Sequence, residues 1–159
     1  MWIKFDLDGM KLQLKVNGYK PDQTSAGEWA KVSYDFEFQN VIKYKSHYPD
    51  EILLSSEIDY LRDTMEKVIN NKLDETIDYE CIEPDFEFIF APSEENSEYD
   101  MELKVHLWNS GLTCNYFSMI FGKEHIKQLF LYFSLISRKI TKEDPEIKEL
   151  IAKGIINEE

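Results

Sequence analysis

Between residues 73 and 100 this chain has no lysine and no arginine, although eleven acids fall there: Asp74, Glu75, Asp78, Glu80, Glu83, Asp85, Glu87, Glu94, Glu95, Glu98 and Asp100. That lack of cations argues against a nucleic-acid binder, because affinity for phosphates comes from clustered Lys and Arg. Cysteine is scarce too. Cys81 and Cys114 stand alone, offer neither a disulfide framework nor a metal-ligand spacing, and read as small buried residues on strands. The three histidines, His47, His106 and His125, lie far apart, so neither a zinc site nor a histidine-based catalytic group can be built from them. No apolar run approaches the roughly 20 residues a membrane-spanning helix needs; the longest, Leu129 to Ile136, is broken by Ser134. Charges also interrupt the opening Met1-Trp2-Ile3-Lys4-Phe5-Asp6, which disfavours a secretory signal. These absences point to a soluble, cytoplasmic protein with no membrane contact.

Motifs for small-molecule chemistry are missing as well. The six glycines each serve a turn, and no Walker loop, dinucleotide fingerprint or nucleophile elbow is present. The acidic stretch Ser93-Glu94-Glu95-Asn96-Ser97-Glu98 lacks the glycine around which a calcium-binding loop bends. Two carboxylate pairs, Asp78 with Glu80 and Asp85 with Glu87, alternate with apolar residues and are expected to face solvent. Acid and base catalysis needs surroundings that drive two pKa values apart, and solvent does not supply them. The expectation is a non-enzyme with neither metal nor cofactor.

What is present suits one domain spanning residues 1–159. Ten Phe, nine Tyr and three Trp are enough to build a core, each contributing roughly 1.5 to 3 kcal/mol when buried. The charge is localised. Residues 51–100 hold 16 acids against 3 bases, whereas residues 1–50 balance at 7 and 7 and residues 101–159 at 8 and 8, for a net charge of −13.

Periodicity supplies the elements. Ile3, Phe5 and Leu7 alternate with polar residues, Asp8-Gly9 turns, and Met10, Leu12, Leu14 and Val16 return as a hairpin. After a loop over 17–27, Ala30, Val32, Tyr34, Phe36 and Phe38 share one face of a long strand, and Val41 to Lys45 reads as another. A helix starts near Ser56, capped by its hydroxyl with Asp59 three residues on, carries Ile58, Leu61, Met65, Val68 and Ile69 inward, and closes at Asn70-Asn71. On its outer side Arg62 stands within reach of Asp59 and Glu66. Strands resume with Ile77, Tyr79 and Cys81, then with Phe86, Phe88 and Phe90 facing in while Asp85 and Glu87 face out. Met101 to Leu107 and Leu112 to Phe121 form a second hairpin about Asn109-Ser110-Gly111, the returning strand apolar on both faces and so expected to be covered on both sides by helix or sheet. A second helix follows Gly122, with Ile126, Leu129, Phe130, Phe133 and Ile136 as its seam. A short third one is marked by Asp144-Pro145 and ended by Gly154, and the tail Asn157-Glu158-Glu159 is expected to fray. The fold class is α+β: an antiparallel sheet of about seven strands packed by two main helices plus a short C-terminal helix.

A surface of one sign concentrates partners of the other. The leading expectation is therefore a docking face for a basic protein, formed by Asp78, Glu80, Glu83, Asp85, Glu87, Glu94, Glu95 and Glu98. Two other readings remain: an interaction module or homodimer held through Leu131, Tyr132 and Leu135 on the second helix, and a small-molecule binder, which would need a sizeable apolar cavity.

Several landmarks resemble the WapI-like family of immunity proteins, which neutralise toxin domains used in contact-dependent bacterial competition. They are Val16-Asn17-Gly18-Tyr19, Gly27-Glu28-Trp29, Leu53-Leu54-Ser55-Ser56-Glu57-Ile58 and above all Glu83-Pro84-Asp85-Phe86-Glu87-Phe88, followed by Leu103 and Val105. Ala30 stands where a larger aliphatic is expected, and residues 141–159 have no counterpart. The resemblance implies a non-catalytic inhibitor of a toxin, often a nuclease whose substrate channel is basic.

Overall fold

The computed structural model describes residues 1–7, 9–21, 28–39, 41–45, 50–92, 100–108 and 111–158. Two antiparallel sheets and three helices account for most of them. The first sheet begins with the hairpin of β1 (Trp2–Leu7) and β2 (Met10–Asn17), in which Phe5 faces Leu12 and Ile3 faces Leu14. Gly9, at φ +84, supplies the positive torsion that the turn requires. The long strand β3 (Trp29–Phe38) pairs with β2 and buries Ala30, Val32, Tyr34 and Phe36, as its alternation dictates. Its other edge is shared. There β4 (Ile42–Lys45) covers Asp35 to Phe38, and β5 (Asp50–Leu54) covers Trp29 to Val32.

The second sheet runs in the order β6 (Ile77–Glu80), β7 (Phe86–Phe90), β8 (Met101–Trp108) and β9 (Leu112–Phe121). Its inner face carries Phe86, Phe88, Phe90, Met101, Leu103, Val105, Met119 and Phe121. The two inner faces meet through aromatic pairs. Phe5 lies edge-on to Phe121 at 5.0 Å, Tyr34 edge-on to Phe86 at 5.1 Å, and Phe36 stacks on Phe117 at 4.1 Å. Such pairs add roughly 0.5 to 1.5 kcal/mol beyond the area they bury. An apolar gap lined by Phe5, Leu14, Phe88, Leu103 and Phe133 measures only about 10 Å³, at most the space of a single water. It offers no room for the small molecule that the third reading required.

Helices α1 (Ser55–Ile69) and α2 (Lys123–Ile136) pack on each other and on this core. The apolar girdle of α2 is explained by that packing. Leu131 and Tyr132 are buried within the chain itself, and Leu135 is half-buried against the core, so these three do not form the free face expected for a homodimer. The Tyr132 hydroxyl accepts from the Val16 backbone N–H at 2.9 Å and donates to the Met1 carbonyl at 3.1 Å. Arg62 is also drawn inward. It bonds Asp59 and Asp63 on its own helix and the Ser137 hydroxyl at the end of α2, rather than standing on an outer surface with Glu66.

The first helix does not start as expected. Leu54 holds the cap position, and Glu57 reaches back to accept its backbone N–H at 2.8 Å. Ser55, not Ser56, is the buried hydroxyl, and it accepts from the Lys20 N–H. The far end closes as read, with Asn71 left-handed at φ +53. The third helix, α3 (Pro145–Ala152), is capped by Asp144, whose carboxylate accepts the Glu146 N–H at 3.0 Å. Beyond it the chain does not fray at once: β10 (Ile156–Asn157) pairs with β1, setting Asn157 opposite Trp2, and Ile156 is buried. Burial of Ile156, the Lys4 N–H donated to the Ile155 carbonyl and the Asn157 amide donated to the Gly154 carbonyl together hold this end of the chain.

The strand apolar on both faces also differs from expectation. Only the inner face of β9 is covered, while Leu112, Tyr116 and Ile120 are exposed on the other. Cys114 shares that outer face and is exposed, unlike Cys81, which is buried. Both cysteines are free. The turn at residues 109–110, His47 and the acidic stretch 93–98 lie outside the described residues, and so do the expected site residues Glu94, Glu95 and Glu98.

Candidate functional site

Among the expected docking residues, Asp78 and Glu80 are exposed on β6. The hairpin joining β6 to β7 sets Glu80 opposite Glu87, a like-charge pairing that destabilises a sheet by roughly 0.2 to 1 kcal/mol. The structure relieves it from the next strand. Lys104, opposite Glu87 in β8, ion-pairs with it, and the His106 ring approaches its other oxygen at 3.3 Å. Partial burial opposes ionisation of Glu87, but Lys104 and then His106 outweigh it and hold the carboxyl below its usual range. Glu87 does point outward, yet its charge is already engaged.

Asp85 departs further from expectation. It is 9% exposed and turned inward, because it belongs to the turn before β7, where strand alternation has not yet begun. Two neutral donors converge on its Oδ1: the Tyr34 hydroxyl of β3 at 3.0 Å and the Trp108 indole N–H at 3.2 Å. Trp108 follows a register shift after His106 in the pairing of β8 with β9, the kind of irregularity that re-aims a side chain. The Asp85 carbonyl accepts the His106 N–H at 2.9 Å, which fixes the backbone. Burial pushes the Asp85 carboxyl above its usual range; the two donors pull it part of the way back, and the charges of Glu83 and Asp50 add to the rise. Burial and the same carboxylate push the Tyr34 hydroxyl upward, so it remains a proton donor.

The turn that carries these residues is anchored from α1. Glu57, buried at the first turn of that helix, accepts the Ile82 N–H at 2.9 Å and the Tyr79 hydroxyl at 3.3 Å. Cys81 closes the hairpin by donating its N–H to the Phe86 carbonyl, and burial raises its thiol pKa, so the thiol stays protonated. A carboxylate on a helix is thereby made to position a turn of the second sheet.

Asp85 forms part of an open cleft of about 760 Å³ between the two sheets, with Trp29, Tyr34, Tyr44, Asp50, Glu83 and Trp108 among its walls. It opens where β4 gives way to β5 along the edge of β3. Four acidic residues line it, Asp50, Glu51, Glu83 and Asp85. Lys45 also lines the cleft but ion-pairs with Asp35 at 3.2 Å. Among the described residues no basic side chain bonds any of the four. The outer face of the first sheet behaves differently, with Glu37 bridging Lys11 and Lys43.

The expected acidic residues therefore separate into two places. Glu83 and Asp85 join Asp50 and Glu51 in the cleft, whereas Asp78, Glu80 and Glu87 belong to β6 and the outer face of β7. Sequence reasoning missed Asp50, Glu51 and the aromatic walls, since only the packing of β5 and β3 beside the 82–85 turn brings them there. One signal was available: Trp29 and Glu83-Pro84-Asp85 each belong to a stretch carrying the family resemblance, and they meet here. No metal-ligand grouping of three or more His, Cys, Asp or Glu occurs among the described residues. Nor, among them, is any helix long and apolar enough to cross a membrane.

Searches of curated proteins and of solved structures return no match. A family model does match, covering residues 3–138, from β1 to just past the end of α2, so α3 and β10 lie beyond it. On a match of that extent, the chain belongs to the immunity protein WapI-like family.

Proposed function

We propose that this protein is a non-catalytic immunity protein that binds a basic toxin domain, such as a nuclease, and occludes it through an acidic surface centred on the cleft between its sheets. The observation that carries this reading is Asp85: a residue nine-tenths buried, beside the charges of Glu83 and Asp50, whose carboxylate among the described residues is held by neutral donors alone. Such an arrangement costs stability when the protein is alone and is relieved by an incoming cation. Family membership supports a protein toxin as the partner.

The test is co-expression with the toxin domain encoded beside its gene, scored by growth. Wild type rescues growth, and exchanging Glu83 and Asp50 for lysine abolishes rescue while leaving the far-ultraviolet circular dichroism spectrum unchanged. Capture of the purified toxin domain weakens steeply with added salt, as charge-driven association does. Undiminished rescue by the lysine variant would remove the acidic cleft from the interface. The competing reading, an interaction module or homodimer, has lost the α2 face to the core; what favours it now is the exposed row of Leu112, Tyr116 and Ile120 on β9. Association through that row would respond little to salt.

A further inference from the structure

Resting on the toxin-binding reading, we infer that the cleft is a socket for one guanidinium group, the side chain of an arginine presented by the partner protein. The first ground is how the Asp85 carboxylate is spent. Both of its donors go to Oδ1, and Oδ2 receives no hydrogen bond from any described residue. Every fully enclosed side-chain oxygen among the described residues has a partner, so Oδ2 opens on the cleft that Asp85 lines. A buried residue thus presents one committed oxygen and one vacant oxygen, fixed in orientation by Tyr34, Trp108 and the His106 N–H on its carbonyl. A pre-oriented acceptor of this kind loses little entropy when a donor arrives.

The second ground is the walls. Trp29, Tyr44 and Trp108 line the same space. Trp108 is held by its bond to Asp85, and Tyr44 lies stacked on Tyr34 with ring centroids 5.9 Å apart. Flat π faces beside carboxylates suit a flat cation. A guanidinium is planar and weakly hydrated, stacks on aromatic rings and directs several N–H groups in its plane toward carboxylates, whereas an ammonium is a compact, strongly hydrated point charge. Glu83, at the rim, provides a second acceptor and, with Asp50, the attracting field. A bare metal ion is a poor occupant, since no three ligating groups converge among the described residues.

The probe is N-acetyl-arginine methylamide, titrated into the full-length protein labelled with nitrogen-15 and compared with the matching lysine compound. The three indole N–H signals report on place: Trp29 and Trp108 line the cleft, while Trp2 lies under Lys15 on the first sheet. The expected result is a saturable shift of the Trp29 and Trp108 signals with Trp2 unmoved, and affinity for the lysine compound at least about tenfold weaker. Asp85→Asn keeps the Oδ1 acceptor and removes the charge, and Glu83→Gln alters only the rim; each weakens arginine binding by about tenfold. Equal affinity for the two compounds, a Trp2 shift as large as the others, or wild-type affinity in both variants would overturn the inference. The arginine socket and toxin binding can fail separately. Arginine titration by a protein that does not rescue growth from the neighbouring toxin leaves the socket and removes the toxin reading; rescue by wild type that the lysine variant abolishes, with no arginine titration, keeps the toxin reading and removes the socket.

Discussion

Asp85 and Glu87 stand two residues apart in the chain and are held in opposite electrostatic states. Glu87 faces out from β7, takes Lys104 and His106 as partners, and ionises more readily than an ordinary glutamate. Asp85 turns in beneath the hairpin, meets a phenol and an indole as its side-chain donors among the described residues, and ionises less readily than an ordinary aspartate. Charge counted along the sequence treats the two alike. What separates them is whether the fold brings a cation or a neutral donor to the carboxylate, and that is decided by the neighbouring strands. The teaching is that an acidic run marks a region, while burial and partner chemistry mark the site within it.

Phe86 lies between the two and supports the first of them, edge-on to Tyr34 at 5.1 Å and 2% exposed. Phe86→Ala is expected to lower stability by about 3 to 5 kcal/mol, through lost burial and the cavity left behind. It should also weaken partner binding, because Tyr34 loses the ring that steadies its bond to Asp85; urea unfolding followed by titration would separate the two effects. Next in size, lysine at Glu83 and Asp50 should reduce affinity for the cognate toxin domain by about a hundredfold. Lysine at the exposed Asp78 and Glu80 should cost only a few-fold, mainly in association rate. Stopped-flow and calorimetric measurements at one salt concentration would show whether the cleft or β6 dominates.

The sharpest contrast is in stability. Glu87→Gln is expected to destabilise by about 1 to 2 kcal/mol at neutral pH, since Lys104 loses a charged partner. Asp85→Asn should leave stability unchanged or raise it by about 1 kcal/mol, because the acceptor for Tyr34 and Trp108 is kept and a buried charge is removed. The pH dependences follow with opposite sign. The folded-state pKa of Glu87 is depressed, so its contribution is present above the ordinary carboxyl range and disappears as pH falls through that depressed value. The folded-state pKa of Asp85 is raised, so its stability contribution is complete below the ordinary range and is lost as pH rises through the raised value. Denaturation midpoints for the two variants and wild type across the acid range would read both windows, with Asp85's above Glu87's.

Where one strand face meets the core and the other meets water, the alternation in the sequence located the elements well: Ala30, Val32, Tyr34 and Phe36 are all buried in β3. Elements set by tertiary contact were harder to see. Strand β5 runs exposed, exposed and then three buried residues, Ile52, Leu53 and Leu54, a pattern without period two, because its last residues pass beneath the start of α1. The two-residue β10 has no pattern to detect. Glu57 enters the sequence reading only as part of the Leu53 to Ile58 stretch, and its bonds to Leu54 and Ile82 reveal a clamp joining helix and turn. The acidic zone was visible in composition, but the cleft was not, because Asp50 and Trp29 reach it from a different sheet.

The seating of β10 against β1 has a topological consequence. With Asn157 opposite Trp2, the two ends of the described chain lie one strand spacing apart, about 5 Å. A short linker could join them, and new ends could be opened in the solvent-facing stretch 74–76 between α1 and β6, leaving every strand pairing intact. In such a rearranged molecule the second sheet would be synthesised before the first, and the acid-lined groove would still assemble from the same walls.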